Sequence, residues 1–574
     1  MKKNKKRKPL TDEQKQRQER SRFKRKIWNI FTGAGFTYIP TNDHEMTIGL
    51  RKVEIDSLYI YENIWLLCED TIKTTHMREH IRTKNEAMGE IQAHMQEFVE
   101  ILVEMFPEYA ELFAQFEVER IKIYGLYISR SEPDLTVSDY KLFGNLTFVL
   151  PQTLNYFQWI VQAIKRSARN EIFRFLGLTS QQIGLVRSQS EDTKIVAPII
   201  YPKEFTGLKN GVRVVSFMMP AEAMLNTCYV LRKDNWEDSI FLYQRLIEKK
   251  KIQKIRSFLE EKGECFYNNI IVALPDNVTF IDGGEKRHTI DTIGNLEGNC
   301  RLVLPKEINS ICVIDGQHRI FAHYESGVDS KQERKITALR KQRHLLVTGL
   351  VFPLDMSPAK RAQIQSEIFW EINSNAKAVP PNVLLQIKRI SNPIADESIA
   401  QYVVEKMNKH GVFCKRFQLS ALDPAPIKTA SLVRFALRYL VTITPAEGKK
   451  SLIDYWAGDK EKLLKLDKNA INDYTDYCVT VLNTYFSAIQ GNFPAEWEDT
   501  SSKLLSVISL NGFIIALTRQ LTINGVQEFE FYNQKFKDWS FNFSKENFPY
   551  TSSQYRKFSS RILEEVFKLT PGSN

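Results

Sequence analysis

Two stretches of this 574-residue chain set reactive side chains at spacings that chemistry can use. In "KVEIDSLYIYENIWLLCEDTIKT" a β-hairpin is expected, with Asp56 near the end of its first strand and Glu69 thirteen residues later on the second. Carboxylates on neighbouring strands can share a divalent ion such as Mg2+, which takes oxygen ligands. A lysine two residues past the second acid would fall on the same face, because strand side chains alternate. There it would steady an attacking water or the charge developing on a phosphate. That position holds Thr71, and Lys73 keeps the same strand parity. The candidate set is therefore Asp56 and Glu69 as metal ligands with Lys73 as a stand-in cation.

The second stretch is "CVIDGQHRIFAHYESG", residues 312–327. An apolar, β-branched run ends in Asp315-Gly316, a turn pair in which glycine is free to take positive φ. Ile320, Phe321 and Tyr324 then recur at helical spacing up to Gly327, a natural stop. Asp315 is placed to cap this helix, and free N–H groups at its start make a site suited to phosphate. Gln317, His318 and Arg319 would flank that site. Arg319 offers a fork for phosphate oxygens, His318 a proton near neutral pH, and Asp315 a carboxylate for a magnesium-bound water. The same residues would serve equally as a helix cap with a buried ion pair.

Positioning these groups requires mixed α/β architecture. "GFTYIP", "NIWLLCED" and "ERIKIYGLYIS" read as strands around the helical stretch "NEAMGEIQAHMQEFVEILVEMF". "VRVVSFMM", "NNIIVALP", "SICVI" and "LLVTGLVF" are further strands alternating with helices, and the last part of the chain is mostly helical. The expected organisation is a basic flexible arm over 1–26, an α/β domain over 27–190, a second α/β domain over 191–440, and a helical region over 441–574. The end of the chain interleaves aromatics with Lys and Arg, a composition suited to stacking on unpaired bases.

Charge is concentrated. The first 26 residues hold thirteen Lys or Arg against three acids, a net ten of the chain's +11. Such a run can neutralise phosphates in a sequence-blind, salt-sensitive way, and nucleic acid is the partner it suggests. It lacks the apolar stretch of a secretory signal, and no run is long enough to span a bilayer. The seven cysteines show no zinc spacing, so a reducing cytoplasm is expected.

The pentapeptide Asp315-Gly316-Gln317-His318-Arg319 resembles the signature of the DGQHR-domain, DndB-like family of DNA phosphorothioation gene clusters. "FLYQRLIEKKKIQKIRSFLEE", "FYNNIIVALP" and "EIFWEINSNAKAVPPNVLLQI" are similar to further family segments, so the likeness covers about residues 200–395. It implies a ParB/sulfiredoxin-like fold binding ATP or another nucleoside triphosphate, with Mg2+. Catalysis would fall to Asp315, His318 and Arg319, and nucleotide contacts to Gln244, Arg245, Gly316, Gln317, Arg319 and Asn373. The Asp56–Glu69 hairpin and the helix before it resemble PD-(D/E)xK, restriction-endonuclease-like folds, with the lysine missing.

The expected function is a nucleotide-binding or -hydrolysing, DNA-associated protein of a bacterial DNA-modification or phage-defence system. It would work beside other proteins of such a gene cluster, with self-association possible. The alternatives are a non-enzymatic DNA-binding regulator and a PD-(D/E)xK-type nuclease.

Overall fold

A computed structural model describes residues 11–73, 77–185, 193–196, 198–201, 206–208, 211–233, 235–237, 242–264, 266, 268–292, 300–374, 381–419, 423–551 and 554–569. The architecture is α/β with mixed sheets. The chain divides into two compact units, Met1–Glu237 with Leu246–Ser357, and Asp238–Arg245 with Pro358–Asn574.

The first unit begins with α1 (Asp12–Gly33). Thr11 and Gln14 form a capping box, and Asp12 and Glu13 lie in the first turn, where negative charge suits the helix dipole. Phe23, Ile27, Ile30 and Phe31 recur at helical spacing and are buried. The basic run read as a flexible arm is therefore helical from Asp12 onward, anchored by these apolar positions; residues 1–10 lie outside the described residues.

A five-stranded sheet follows, in the order β1 (Thr37–Ile39), β2 (Ser57–Tyr61), β3 (Ile64–Thr71), β4 (Lys122–Ser129), β5 (Leu146–Val149). The first three strands form an antiparallel meander, whereas β4 and β5 run parallel to β3. A parallel return needs a crossover. The chain supplies it with α2 (Met77–Ala93) and α3 (Met95–Met105), whose Ile81, Met88, Phe98 and Leu102 pack with Leu58, Trp65 and Tyr127. Every residue of β3 is buried, as expected for a central strand read from a nearly continuous apolar run.

The same unit carries a six-stranded mixed sheet. In chain order its strands are β6 (Ile199–Ile200), β7 (Arg213–Pro220), β8 (Cys228–Tyr229), β9 (Ile270–Ala273), β10 (Ile311–Asp315) and β11 (His344–Val351). Spatially they run β8-β10-β9-β11-β7-β6, with β8–β10 and β9–β11 parallel. A smaller four-stranded sheet is built from Thr193–Val196, Thr279–Ile281, Arg287–His288 and Arg301–Leu304.

The second unit is helical. Its core runs from Leu385, Ile399 and Val403 through Leu437, Tyr485 and Phe513 to Phe558 and Phe567. That continuity explains why the division falls at Ser357/Pro358 rather than at 440/441. From Leu385 to Val441, buried apolar side chains share this core with those of the later helices. The expected division near 190 also falls inside the first unit, because charges are buried across it. Arg232, with no exposed side-chain surface, pairs with Glu171 and donates to the Tyr156 hydroxyl (2.9 Å) and Gln317 Oε1 (3.3 Å). Among the described residues, no helix is long and apolar enough to cross a membrane.

A buried ion pair broken on one side leaves an uncompensated charge. Arg232→Ala is thus expected to cost about 3–5 kcal/mol in urea unfolding. Joint replacement of Arg232 and Glu171 by Met should recover part of that loss. A single variant as stable as wild type would show that the pair does not hold this junction.

Candidate functional site

The antiparallel register between β2 and β3 sets Ser57 against Cys68 and Leu58 against Leu67. Asp56, one residue before β2, therefore emerges beside Glu69 and Asp70 at the end of β3. It lies at the entrance of the strand paired with Glu69 rather than at the end of an earlier one. The Asp70 N–H donates to Asp56 Oδ2 at 3.0 Å, fixing the two chains at this edge.

Glu69 and Asp70 are consecutive on a strand, so their side chains leave on opposite sides. Each meets a lysine from a different helix. Lys84 of α2 brings its ammonium 2.7 Å from Glu69 Oε2 and donates to the Glu54 carbonyl at 2.8 Å. Lys24 of α1 lies 3.0 Å from Asp56 Oδ1 and 3.7 Å from Asp70 Oδ2. The sequence expectation had assigned the cation to Lys73. However, β3 ends at Thr71, and Lys73 continues past it with its N–H on Thr71 Oγ1, lining the same pocket without reaching Glu69's place on the strand.

Burial dominates the electrostatics. Glu69 is 2% exposed, and the loss of water pushes its carboxyl up to about 8, with Lys84 opposing the rise. Asp70 is pushed up to about 6, first by burial and then by the neighbouring Asp56 charge. Lys24 is raised: burial disfavours its charge, but Asp70 and Asp56 outweigh that effect. His80, whose Nδ1 lies 3.0 Å from the Tyr127 hydroxyl, is lowered by burial and then by Lys84 and Lys73. Asp56, Asp70 and His80 line a pocket of about 530 Å³, together with the cations Arg17, Arg20, Lys73 and Lys84 and the acids Glu13 and Glu54.

The arrangement does not fit a divalent ion. Both oxygens of Asp56 are engaged, one by Lys24 and the other by the Asp70 N–H, and the cation between Asp56 and Asp70 is an ammonium. Among the described residues, no group of three or more His, Cys, Asp or Glu is placed to hold a metal. The expected Asp56–Glu69 metal pair is instead a pair of separately neutralised acids.

At the second candidate, β10 hands over to a single helical turn, α4 (Gln317–Phe321), through Gly316 at φ +99°. A Cβ there would come within 3.0 Å of Ile270 Cγ1 and Arg319 Nη2, so glycine is needed for both conformation and space. Gly316 itself is the capping residue, and no side chain caps the turn. Asp315, expected as the cap, pairs instead with Arg319 Nη2 at 3.0 Å, and Arg319 also donates to the Asn269 carbonyl at 2.7 Å. Gln317 Oε1 accepts from Arg232, and His318 Nε2 accepts the Glu248 N–H at 3.0 Å. Each polar side chain of the motif thus has a partner within the protein.

The remaining expected nucleotide ligands lie in the other unit. Gln244 is buried in the 238–245 segment that also carries Arg245. Asn373 closes the helix Pro358–Ser374 by donating to the Phe369 carbonyl at 2.8 Å. Sequence reasoning missed Lys24, Asp70, His80 and Lys84. Asp70 had a local signal in its adjacency to Glu69; Lys24 was hidden inside a run read only as charge, and Lys84 reaches the site through the crossover.

The raised carboxyls set a pH dependence. Between about pH 5 and pH 8 the folded protein keeps protons on Glu69 and Asp70 that the unfolded chain has released, so their contribution to stability falls as pH rises. Glu69→Gln, which cannot ionise, is expected to flatten that fall in urea midpoints measured across the window. An unaltered slope would place the proton uptake elsewhere.

The chain matches no family model, no curated protein and no solved structure.

Proposed function

We propose that this chain is a DNA-associated protein whose amino-terminal half binds the phosphodiester backbone through a restriction-endonuclease-like domain that does not cleave. The observation that carries this reading is that both expected metal ligands are taken by ammonium groups, Asp56 by Lys24 at 3.0 Å and Glu69 by Lys84 at 2.7 Å. The topology supports it: a leading helix, an antiparallel meander and a helical crossover to a parallel strand, with the acids at the ends of adjoining strands. So does the charge. Among the cations of the lining, Arg17 is paired with Glu13 and Lys84 with Glu69, which leaves Arg20 from α1 and Lys73 beyond β3 to meet the phosphates of a polyanion.

The resemblance at Asp315-Gly316-Gln317-His318-Arg319 points in the same biological direction, toward proteins that act beside DNA-modification or phage-defence enzymes. Nucleotide hydrolysis at that turn rests on the resemblance alone. Arg319 is tied to Asp315 and the Asn269 carbonyl, and the turn after Gly316 is only five residues long.

Fluorescence anisotropy with a labelled duplex over a salt series tests the proposal. Binding should weaken steeply with salt, and Arg20→Ala and Lys73→Ala should each lower the log–log slope by about 0.9. No cleavage is expected with Mg2+ or Mn2+. Two results would overturn the reading: no duplex binding at low salt, or metal-dependent cleavage abolished by Glu69→Ala, which would restore the nuclease alternative.

A further inference from the structure

The helical unit contains a second pocket, also of about 530 Å³, lined by none of the residues of the two candidate sites. Its wall is a helical stretch over 429–441 interrupted by one π-helical turn, Val433–Leu437, between Thr429–Leu432 and Arg438–Val441. A π turn inserts an extra residue and shifts the side chains around it, and such turns concentrate at functional positions. Here the turn presents Arg434 and Phe435, followed by Arg438 and Tyr439.

Two features point to one kind of ligand. The first is aromatic. Phe435 is 49% exposed and Tyr439 52% exposed, and Phe435 stacks on Tyr555 of the last helix, Tyr555–Glu565, with centroids 5.9 Å apart and planes at 27°. Three rings thus line one pocket; Phe435 and Tyr439 are each about half exposed, with the Arg438 guanidinium 4.5 Å from the centre of the Tyr439 ring. Phe513, Phe543 and Phe558, by contrast, are sequestered in the core.

The second feature is charge. Lys388, Arg434, Arg438 and Arg556 line the pocket with a single acid, Glu397. Glu397 is engaged by Lys388 at 3.2 Å and by Arg438 at 2.9 Å. Arg434 and Arg556 have no ion-pair partner among the described residues. Uncompensated guanidinium groups beside open aromatic faces suit a nucleobase with its phosphate. In a duplex the base faces are covered by stacking, so the fitting form is an unpaired strand.

We infer that the pocket around Phe435, Tyr439 and Tyr555 is a binding site for single-stranded nucleic acid, with bases stacking on the rings and phosphates contacted by Arg434 and Arg556. The site is separate from the amino-terminal pocket and does not depend on the function proposed for it. It also gives the aromatic–basic composition of the chain's end a specific locus at Tyr555 and Arg556.

The test uses the full chain and labelled dT15 in an anisotropy titration. Phe435→Ala and Tyr439→Ala are each expected to weaken binding about 10-fold with the salt slope unchanged. Arg434→Ala and Arg556→Ala are each expected to lower the slope by about 0.7. All four residues are solvent-accessible, and unchanged thermal unfolding would verify that each variant folds. Duplex affinity should remain at the wild-type value in all four, which separates this site from the amino-terminal one. Wild-type dT15 affinity in both aromatic variants would overturn the inference, as would tight binding of ATP with none of dT15.

Discussion

Three carboxylates gathered at the end of a buried strand are tolerable only because two helices deliver ammonium groups to them. Desolvation alone would drive Glu69 and Asp70 toward the neutral form, and both are in fact raised. Lys84 from the crossover and Lys24 from the leading helix limit that rise. The placement of both helices against the sheet is therefore an electrostatic requirement as well as an apolar one. α1 packs through Phe23, Ile27, Ile30 and Phe31, and the same register brings Lys24 to the acids and turns Arg17 and Arg20 to the pocket rim. The proposed loss of cleavage and retention of backbone binding are two results of this one neutralisation.

The Asp-Gly-Gln-His-Arg corner follows a different logic. Its polar residues are held by elements far apart in sequence: Gln317 by Arg232, His318 by the start of the helix Lys249–Lys262, and Arg319 by Asp315 and the end of the loop before β9. The motif acts as a junction into which several segments lock. A junction of that kind explains why three large polar side chains crowd one turn, without requiring a ligand.

Much of this was legible in the sequence. The apolar runs of β2, β3 and β4, the adjacency of Asp56 and Glu69, and the glycine at the β10 corner follow from periodicity and residue type. What was not legible involved long side chains and tertiary choice. Nothing local marks Lys84 as the partner of Glu69, since its reach depends on how the crossover helix packs. The boundary at Pro358 was missed because the helices after it carry apolar stripes that could cover a sheet or another helix equally well. For Arg319 the sequence left both a phosphate fork and an ion pair open, and the structure shows the Asp315 carboxylate four residues earlier paired with it. The π turn at Val433–Leu437 has no sequence signal at all.

The chain passes between the two units three times: after Glu237, after Arg245 and after Ser357. The eight-residue excursion carries Tyr243 and Gln244, both buried, and the Tyr243 ring lies 5.3 Å from Phe369 within the same unit. Neither unit is consequently a contiguous stretch that one cut could release. A fragment stopping at Ser357 would drag along a piece of the other unit's interior, and one starting at Pro358 would lack it.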